Sequence, residues 1–290
     1  MRLYGLMLAI LSAVAFGLYM VPRRFSRAPQ VEFSAAMGLG AAIALAIPLP
    51  FVAGTWSLSG LGIAFLGGLS FALASHLFVL SVDALGLTRA TPVKNLTGVF
   101  GTFFGIAILG EYRTSGAVVL GQLVLGSLLT ALGAYLIGGI GQTADDGLAP
   151  GGRQRGFLLA IGAAAFFGFY LVPLKLAAPL GTGYGYLGLG LGAVVGLTLP
   201  QLSRLVRMPL REAGLGALAG ALLALGVLLA APAANLIGLS VAWPITQLNT
   251  FVALGAGMFW LREHDFRQVK GRLLLASLAT LAGILLLALL

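Results

Sequence analysis

Few polar side chains in this chain stand where they can do chemistry, and each is set in a long apolar run. Lys94 is the sharpest of them. It lies inside an apolar segment, with Asn95 beside it and Thr246 in the corresponding place of a second, similar segment. A charge within a membrane helix is costly and marks a functional position by default. Such an ammonium can bind the carboxylate or phosphate of a solute, or take up and release a proton. The bland alternative is a lysine near a helix end that snorkels to the interface beside Arg89. The polar neighbours Asn95 and Thr246 favour the cavity role.

A second group is Trp243, Thr246, Gln247, Asn249 and Thr250. Four polar side chains in five positions are too many for a lipid face. They either bond neighbouring helices or bond a solute's hydroxyls while Trp243 stacks on its apolar face. Positions 243, 246, 247 and 250 share one helical face and position 249 does not. Substrate contacts are therefore expected from Lys94, Asn95, Trp243, Thr246, Gln247 and Thr250. Tyr19 and Tyr170, each three residues before a proline, join them as cavity-lining or gating groups.

Proton coupling has four candidates: His76, Lys94, Glu32 and Asp83. None of the eight carboxylates lies near the centre of an apolar segment, so a buried-carboxylate relay is missing. Glu111 and Glu263 read as helix-ending residues. There is no HExxH, P-loop or G-x-S-x-G pattern. Two His and no Cys cannot build a typical zinc site. We expect neither an enzyme nor a metal or cofactor site.

These residues must be held by helices in a membrane. The 290 residues are 59% hydrophobic and 9% charged, with a mean hydropathy of +1.04. A soluble fold cannot hide that much apolar surface. Ten apolar segments follow one another, at about 3–22, 33–53, 58–82, 90–109, 116–140, 156–178, 184–200, 213–234, 241–261 and 271–290. Each has the length a helix needs to cross about 30 Å of hydrocarbon, and none alternates as a barrel strand would. The expected fold is all-α and integral to the membrane, with ten transmembrane helices.

The polar stretch 142–155 divides the chain into 1–141 and 156–290, and these halves resemble each other. Phe16-Gly17-Leu18-Tyr19-Met20-Val21-Pro22 returns as Phe167-Gly168-Phe169-Tyr170-Leu171-Val172-Pro173, 151 residues on. Pro92 returns as Pro244, and Glu111 as Glu263, both 152 residues on. Five helices per half is an odd number, so the halves enter the membrane from opposite sides, as inverted repeats.

Of the 17 Lys and Arg, thirteen fall in the odd-numbered connectors. Three (Arg2, Arg113, Lys175) fall on the other side, and Lys94 lies within a segment. This asymmetry sets the odd connectors and the linker in the cytoplasm and both termini outside. It also explains the net charge of +9 without a nucleic acid partner. Gly101/Gly105, Gly188/Gly192/Gly196 and Gly216/Gly220 have the spacing that lets membrane helices approach closely.

The pattern resembles the drug/metabolite transporter superfamily, and within it the glucose/ribose-porter and rhamnose–proton symporter branch. The resemblance rests on Thr88-Arg89-Ala90-Thr91-Pro92-Val93, Gly101-Thr102-Phe103-Phe104-Gly105, Gly110-Glu111 and the first-helix motif ending in Pro22-Arg23-Arg24-Phe25. It covers the whole chain. It implies a secondary transporter of a small polar metabolite, a sugar first, working by alternating access, with a solute site between the repeats. The expected setting is a bacterial inner membrane, as monomer or homodimer, with a small-molecule substrate and a coupling proton as partners. Lys94-Asn95 departs from the branch, which tends to carry small hydroxyl residues there. That leaves a second substrate class open: amino acids or other anionic metabolites, with Lys94 as counter-charge.

Overall fold

A computed structural model describes residues 1–51, 57–85, 90, 93–112, 114–138, 150–180, 182–256 and 266–289. Among these residues the regular structure is helical, with no strand. The main elements are α1 (Arg2–Leu18), α2 (Gln30–Ala46), α3 (Leu58–Leu85), α4 (Thr97–Ala107) and α5 (Ala117–Gly138). The second half has α6 (Pro150–Phe169), α7 (Leu171–Ala177), α8 (Thr182–Ala193), α9 (Leu210–Ile237), α10 (Leu239–Thr246), α11 (Asn249–Gly255) and α12 (Phe266–Ala288). α6 begins at Pro150, so the last residues of the polar stretch are helical. Proline suits a first helical position, where its missing N–H costs nothing.

Among the described residues, six spans are long and apolar enough to cross a membrane: Arg2–Phe25, Leu58–Ser81, Gln154–Leu180, Tyr184–Leu205, Leu210–Ile237 and Lys270–Leu287. Gln30–Ala46, Thr97–Ala107 and Ala117–Gly133 are apolar but shorter. Large side chains such as Leu158, Leu274, Leu278 and Leu285 point outward, while small ones such as Ala160, Ala163, Ala219 and Ala233 are buried. That is the arrangement of a protein whose solvent is lipid and whose interior is made by close helix contact.

The packing partners come in matched pairs. α2 packs on α9 and α3 on α8; α1 packs on α9 and α3 on α6; α1 packs on α10 and α11 as α4 does on α6. α5 lies against α12 and α4 against α10. Polar ties reinforce two of these contacts. The Ser12 hydroxyl of α1 donates to the Gly226 carbonyl of α9 at 2.8 Å, and Ser81 of α3 donates to the Gly156 carbonyl of α6 at 3.0 Å.

Glycine makes the closest approaches possible. A Cβ at Gly192 of α8 would lie 2.7 Å from Gly68 Cα and from Leu69 N of α3. Gly216 and Gly220 of α9 meet α2 in the same way. Gly192→Ala is therefore expected to destabilise the protein by about 1–3 kcal/mol, the usual range for overpacking. Gly121→Ala, where nothing lies within 4 Å, is the matched control and should not lower the thermal unfolding temperature in detergent.

Two apolar segments that read as continuous helices are broken. The helix at Val93–Lys94 gives way to a turn at Asn95–Leu96 before α4, and α10 and α11 are separated by a turn at Gln247–Leu248. The two breaks lie 152 residues apart. Pro244 lies within α10 just before the second break, and it has no N–H to give the Ser240 carbonyl one turn back. That carbonyl accepts the Thr102 hydroxyl of α4 at 3.0 Å instead. Pro92, its counterpart, lies outside the described residues, as do Arg89, Glu263 and residues 142–149 of the linker. α1 and α6 end in matching fashion, at Tyr19 and Tyr170, each followed by a short helical piece that contains a proline.

Candidate functional site

The broken helices meet at a partly open cavity lined by both halves of the chain. Its aromatic wall comes from Phe16, Tyr19, Phe71, Phe167, Tyr170 and Trp243; its polar lining is Lys94, Thr97, Thr246, Gln247 and Asn249. Leu223 of α9 completes it.

The wall is a chain of edge-to-face rings. Trp243 meets Phe16 at 6.2 Å and Tyr170 at 5.5 Å between centroids, and Phe71 meets Tyr170 at 5.6 Å and Phe167 at 5.8 Å. Phe16 and Phe167 occupy equivalent places in the repeated motif, as do Tyr19 and Tyr170. Gly17 and Gly168 of that motif bring the broken helices close. A Cβ at Gly17 would lie 2.8 Å from the Asn249 carbonyl oxygen, and one at Gly168 would lie 2.9 Å from Gly101 N. Gly101 in turn leaves room for the Trp243 ring, whose Nε1 edge lies against it.

Lys94 reaches the cavity from the helical end just before the turn that precedes α4. Its ammonium lies 5.6 Å from the Phe167 ring centroid and 5.9 Å from that of Phe78, within the range where a ring face attracts a cation. No carboxylate among the described residues pairs with it. The backbone around the breaks is partly satisfied from within. Thr97 donates to the Lys94 carbonyl at 2.5 Å, and Thr246 donates to the Trp243 carbonyl at 2.6 Å. Gln247 Oε1, Asn95 Oδ1 and Trp243 Nε1 are buried and have no hydrogen-bond partner. Unpaired buried polar atoms are rare enough to call for an occupant or a role.

The structure brings Lys94, Tyr19, Tyr170, Trp243, Thr246 and Gln247 to one cavity. It sets Asn95 and Thr250 behind it, bonded to each other, with Asn95 Nδ2 donating to Thr250 Oγ1 at 2.9 Å. Asn249, which helical periodicity sets aside, lines the cavity. The reason is the break at Gln247–Leu248, which resets the register between α10 and α11. Of the coupling candidates, Lys94 lines the cavity. His76 lies on a separate groove between α2, α3 and the segment after α8, with Ser34 and Gln201. Glu32 sits in the first turn of α2 and lines none of these cavities. The Asp83 side chain lies outside the described residues.

A second, small cavity adjoins the first and shares Tyr19, Phe71, Phe167 and Leu223 with it. It runs towards Arg23 and Gln30, at the end of the molecule where α1 gives way to the connector before α2. Arg23 lies 5.1 Å from the Phe33 ring centroid and donates to the Ala28 carbonyl at 2.6 Å.

The opposite end is tied together by a knot that the sequence did not single out. Gly110, at φ +68°, turns the chain after α4 and sets Glu111 over the start of α10. Glu111 accepts the Leu239 N–H at 2.7 Å, the Ser240 N–H at 2.8 Å and the Ser240 hydroxyl at 2.6 Å. These are first-turn amides with no partner inside their own helix, and Gly238 before them has no side chain to cap them. Lys175 of α7 forms an ion pair with the same carboxylate and donates to the Ala234 carbonyl of α9 at 3.0 Å. Burial alone would raise the Glu111 pKa; the Lys175 charge and the Ser240 hydrogen bonds outweigh it and hold the carboxyl below its ordinary value.

The sequence model of a family described as "Sugar transport protein" matches residues 7–290. No match was found among curated proteins. Among solved structures, one described only as "Crystal structure of protein" superposes with a TM-score of 0.68. It covers 100% of this chain and 98% of its own, at 14% identity, which is a likeness of fold alone.

Proposed function

The chain belongs to that family of sugar transport proteins, and on this premise we propose that it is a secondary carrier that moves a sugar across a membrane by alternating access. The carrying observation is a cavity lined by residues of both halves, with an aromatic wall and a buried amide oxygen, Gln247 Oε1, that has no partner. A sugar offers hydroxyls for such an oxygen and an apolar ring face for such a wall. The matched packing partners and the matched helix breaks support two inverted five-helix repeats, over 1–141 and 156–290, making ten transmembrane helices about one site. Discontinuous helices at a repeat interface are where transporters of this build place their substrate.

In the orientation given by the charge asymmetry, the Arg23 end faces the cytoplasm and the Glu111–Lys175 knot faces outside. The cavity then opens inward and the knot is the closed outer gate. Rocking one repeat against the other exchanges the two ends. The setting that fits is a bacterial inner membrane, within the wider drug/metabolite transporter superfamily. The test is counterflow in proteoliposomes preloaded with unlabelled glucose, ribose or rhamnose. Transient uptake of the labelled sugar above its equilibrium level supports a carrier. Unsaturable uptake that preloading does not stimulate overturns it.

A further inference from the structure

We infer that the sugar carried is an acidic one, a sugar bearing a carboxylate, with Lys94 as the residue that selects it. This rests on the carrier reading above and names its substrate class. Lys94 is the charged residue of the central cavity, and Arg23 is the charged residue of the adjoining one. Neither cavity has a carboxylate in its described lining. A solute passing from the Arg23 end to the Trp243 wall therefore meets positive charge at the mouth and again at the floor, a field that gathers anions.

The floor itself discriminates. The Lys94 ammonium offers donors and no acceptor, and among the described residues it is bound to no anion of the protein. Its contacts are the faces of Phe78 and Phe167, which hold a cation in place and do not neutralise it. A neutral sugar would leave that charge uncompensated in a poorly solvated pocket. A carboxylate supplies the missing partner. Gln247 Oε1, buried with no donor, remains to accept from a hydroxyl. One end of the ligand is thus read as an anion and the rest as a polyol, with the ring chain from Phe16 to Phe71 along its apolar face.

Counterflow of labelled glucuronate in proteoliposomes of the wild-type protein tests this, with glucuronate, glucuronamide, glucose and succinate as competitors. Glucuronamide keeps the hydroxyls and removes the charge; succinate keeps charge and removes the sugar. Glucuronate is expected to compete at about 10- to 100-fold lower concentration than glucuronamide, the worth of a hydrogen bond to a charged group. Lys94→Gln should erase that difference. If glucose exchanges and glucuronate does not, or if glucuronamide matches glucuronate, the acidic class is overturned and the sugar carrier stands. If succinate matches glucuronate, the sugar part of the inference falls. If no sugar exchanges, charged or neutral, the carrier reading falls with it. The competition series needs no variant, so a Lys94→Gln protein that misfolds does not shelter the proposal.

Discussion

Glu111→Gln is expected to lower the stability of the protein by about 3 kcal/mol, the low end of the cost of leaving one member of a buried ion pair alone. The low end applies because the Lys175 side chain keeps 23% of its exposure and that of Glu111 keeps 10%. Part of the loss comes from the Leu239 and Ser240 amides, which an uncharged group caps less well. Glu111→Gln combined with Lys175→Met should cost less than Glu111→Gln alone, because no bare cation is then left behind. Thermal unfolding in detergent measures both; simple addition of the two costs would show that the pair is not coupled. The same knot predicts an acid sensitivity. The Glu111 carboxyl titrates below its ordinary value of 4.5 when folded. The stability it contributes is complete above about pH 4.5 and is lost as pH falls through the lower, folded value. On acidification through that range the wild type should lose more stability than Glu111→Gln.

Trp243→Ala is expected to abolish exchange altogether. The ring is 3% exposed and ties α10 to α1 through Phe16, to α4 through Gly101 and to the α6–α7 junction through Tyr170. Its removal leaves a hole where the cavity wall stands and costs about 3–5 kcal/mol. Each lost edge-to-face contact accounts for about 0.5–1.5 kcal/mol beyond burial. Trp243→Phe separates the wall from the indole N–H. Since Nε1 has no hydrogen-bond partner, Phe forfeits no bond and should keep both ring contacts, much of the stability and measurable exchange. Loss of exchange in Trp243→Phe with stability retained would instead make the N–H a substrate contact.

The helix breaks and close helix contacts were legible in the sequence because they are written in residues whose roles are steric. Gly17 and Gly168 admit a neighbouring backbone, and Pro244 leaves the Ser240 carbonyl free to bond α4. Tyr19, Tyr170, Trp243, Thr246 and Gln247 were legible as a group for the same reason: they cluster at those landmarks. Asn249 was hidden by the assumption of one uninterrupted helical register, which a turn at Gln247–Leu248 does not obey. Thr250, on the expected face, was turned towards Asn95 by the same break. His76 and Lys94 lie at similar depth in the sequence, yet α3 sends His76 to the groove beside α2 and α8. Helix rotation decides that, and the apolar surroundings of α3, nearly uniform around its circumference, give no stripe from which to read it. Lys175 looked like one more loop charge. Its partner lies two apolar segments earlier, and only folding shows that Glu111 and Lys175 meet.

Alternating access is tested most directly by single cysteines in this Cys-free chain. Ser75→Cys reports on the cavity that opens towards Arg23, and Ala231→Cys on the pocket beside Lys175 at the opposite end. An impermeant thiol reagent, applied to purified protein, should modify Ser75→Cys quickly and Ala231→Cys slowly. Breaking the Glu111–Lys175 knot with Glu111→Gln should reverse the order, speeding Ala231→Cys and slowing Ser75→Cys. Both sites reacting faster together would describe a continuous pore, and no change at either would leave the Glu111–Lys175 pair without a role in access; either result contradicts a carrier gated at that pair.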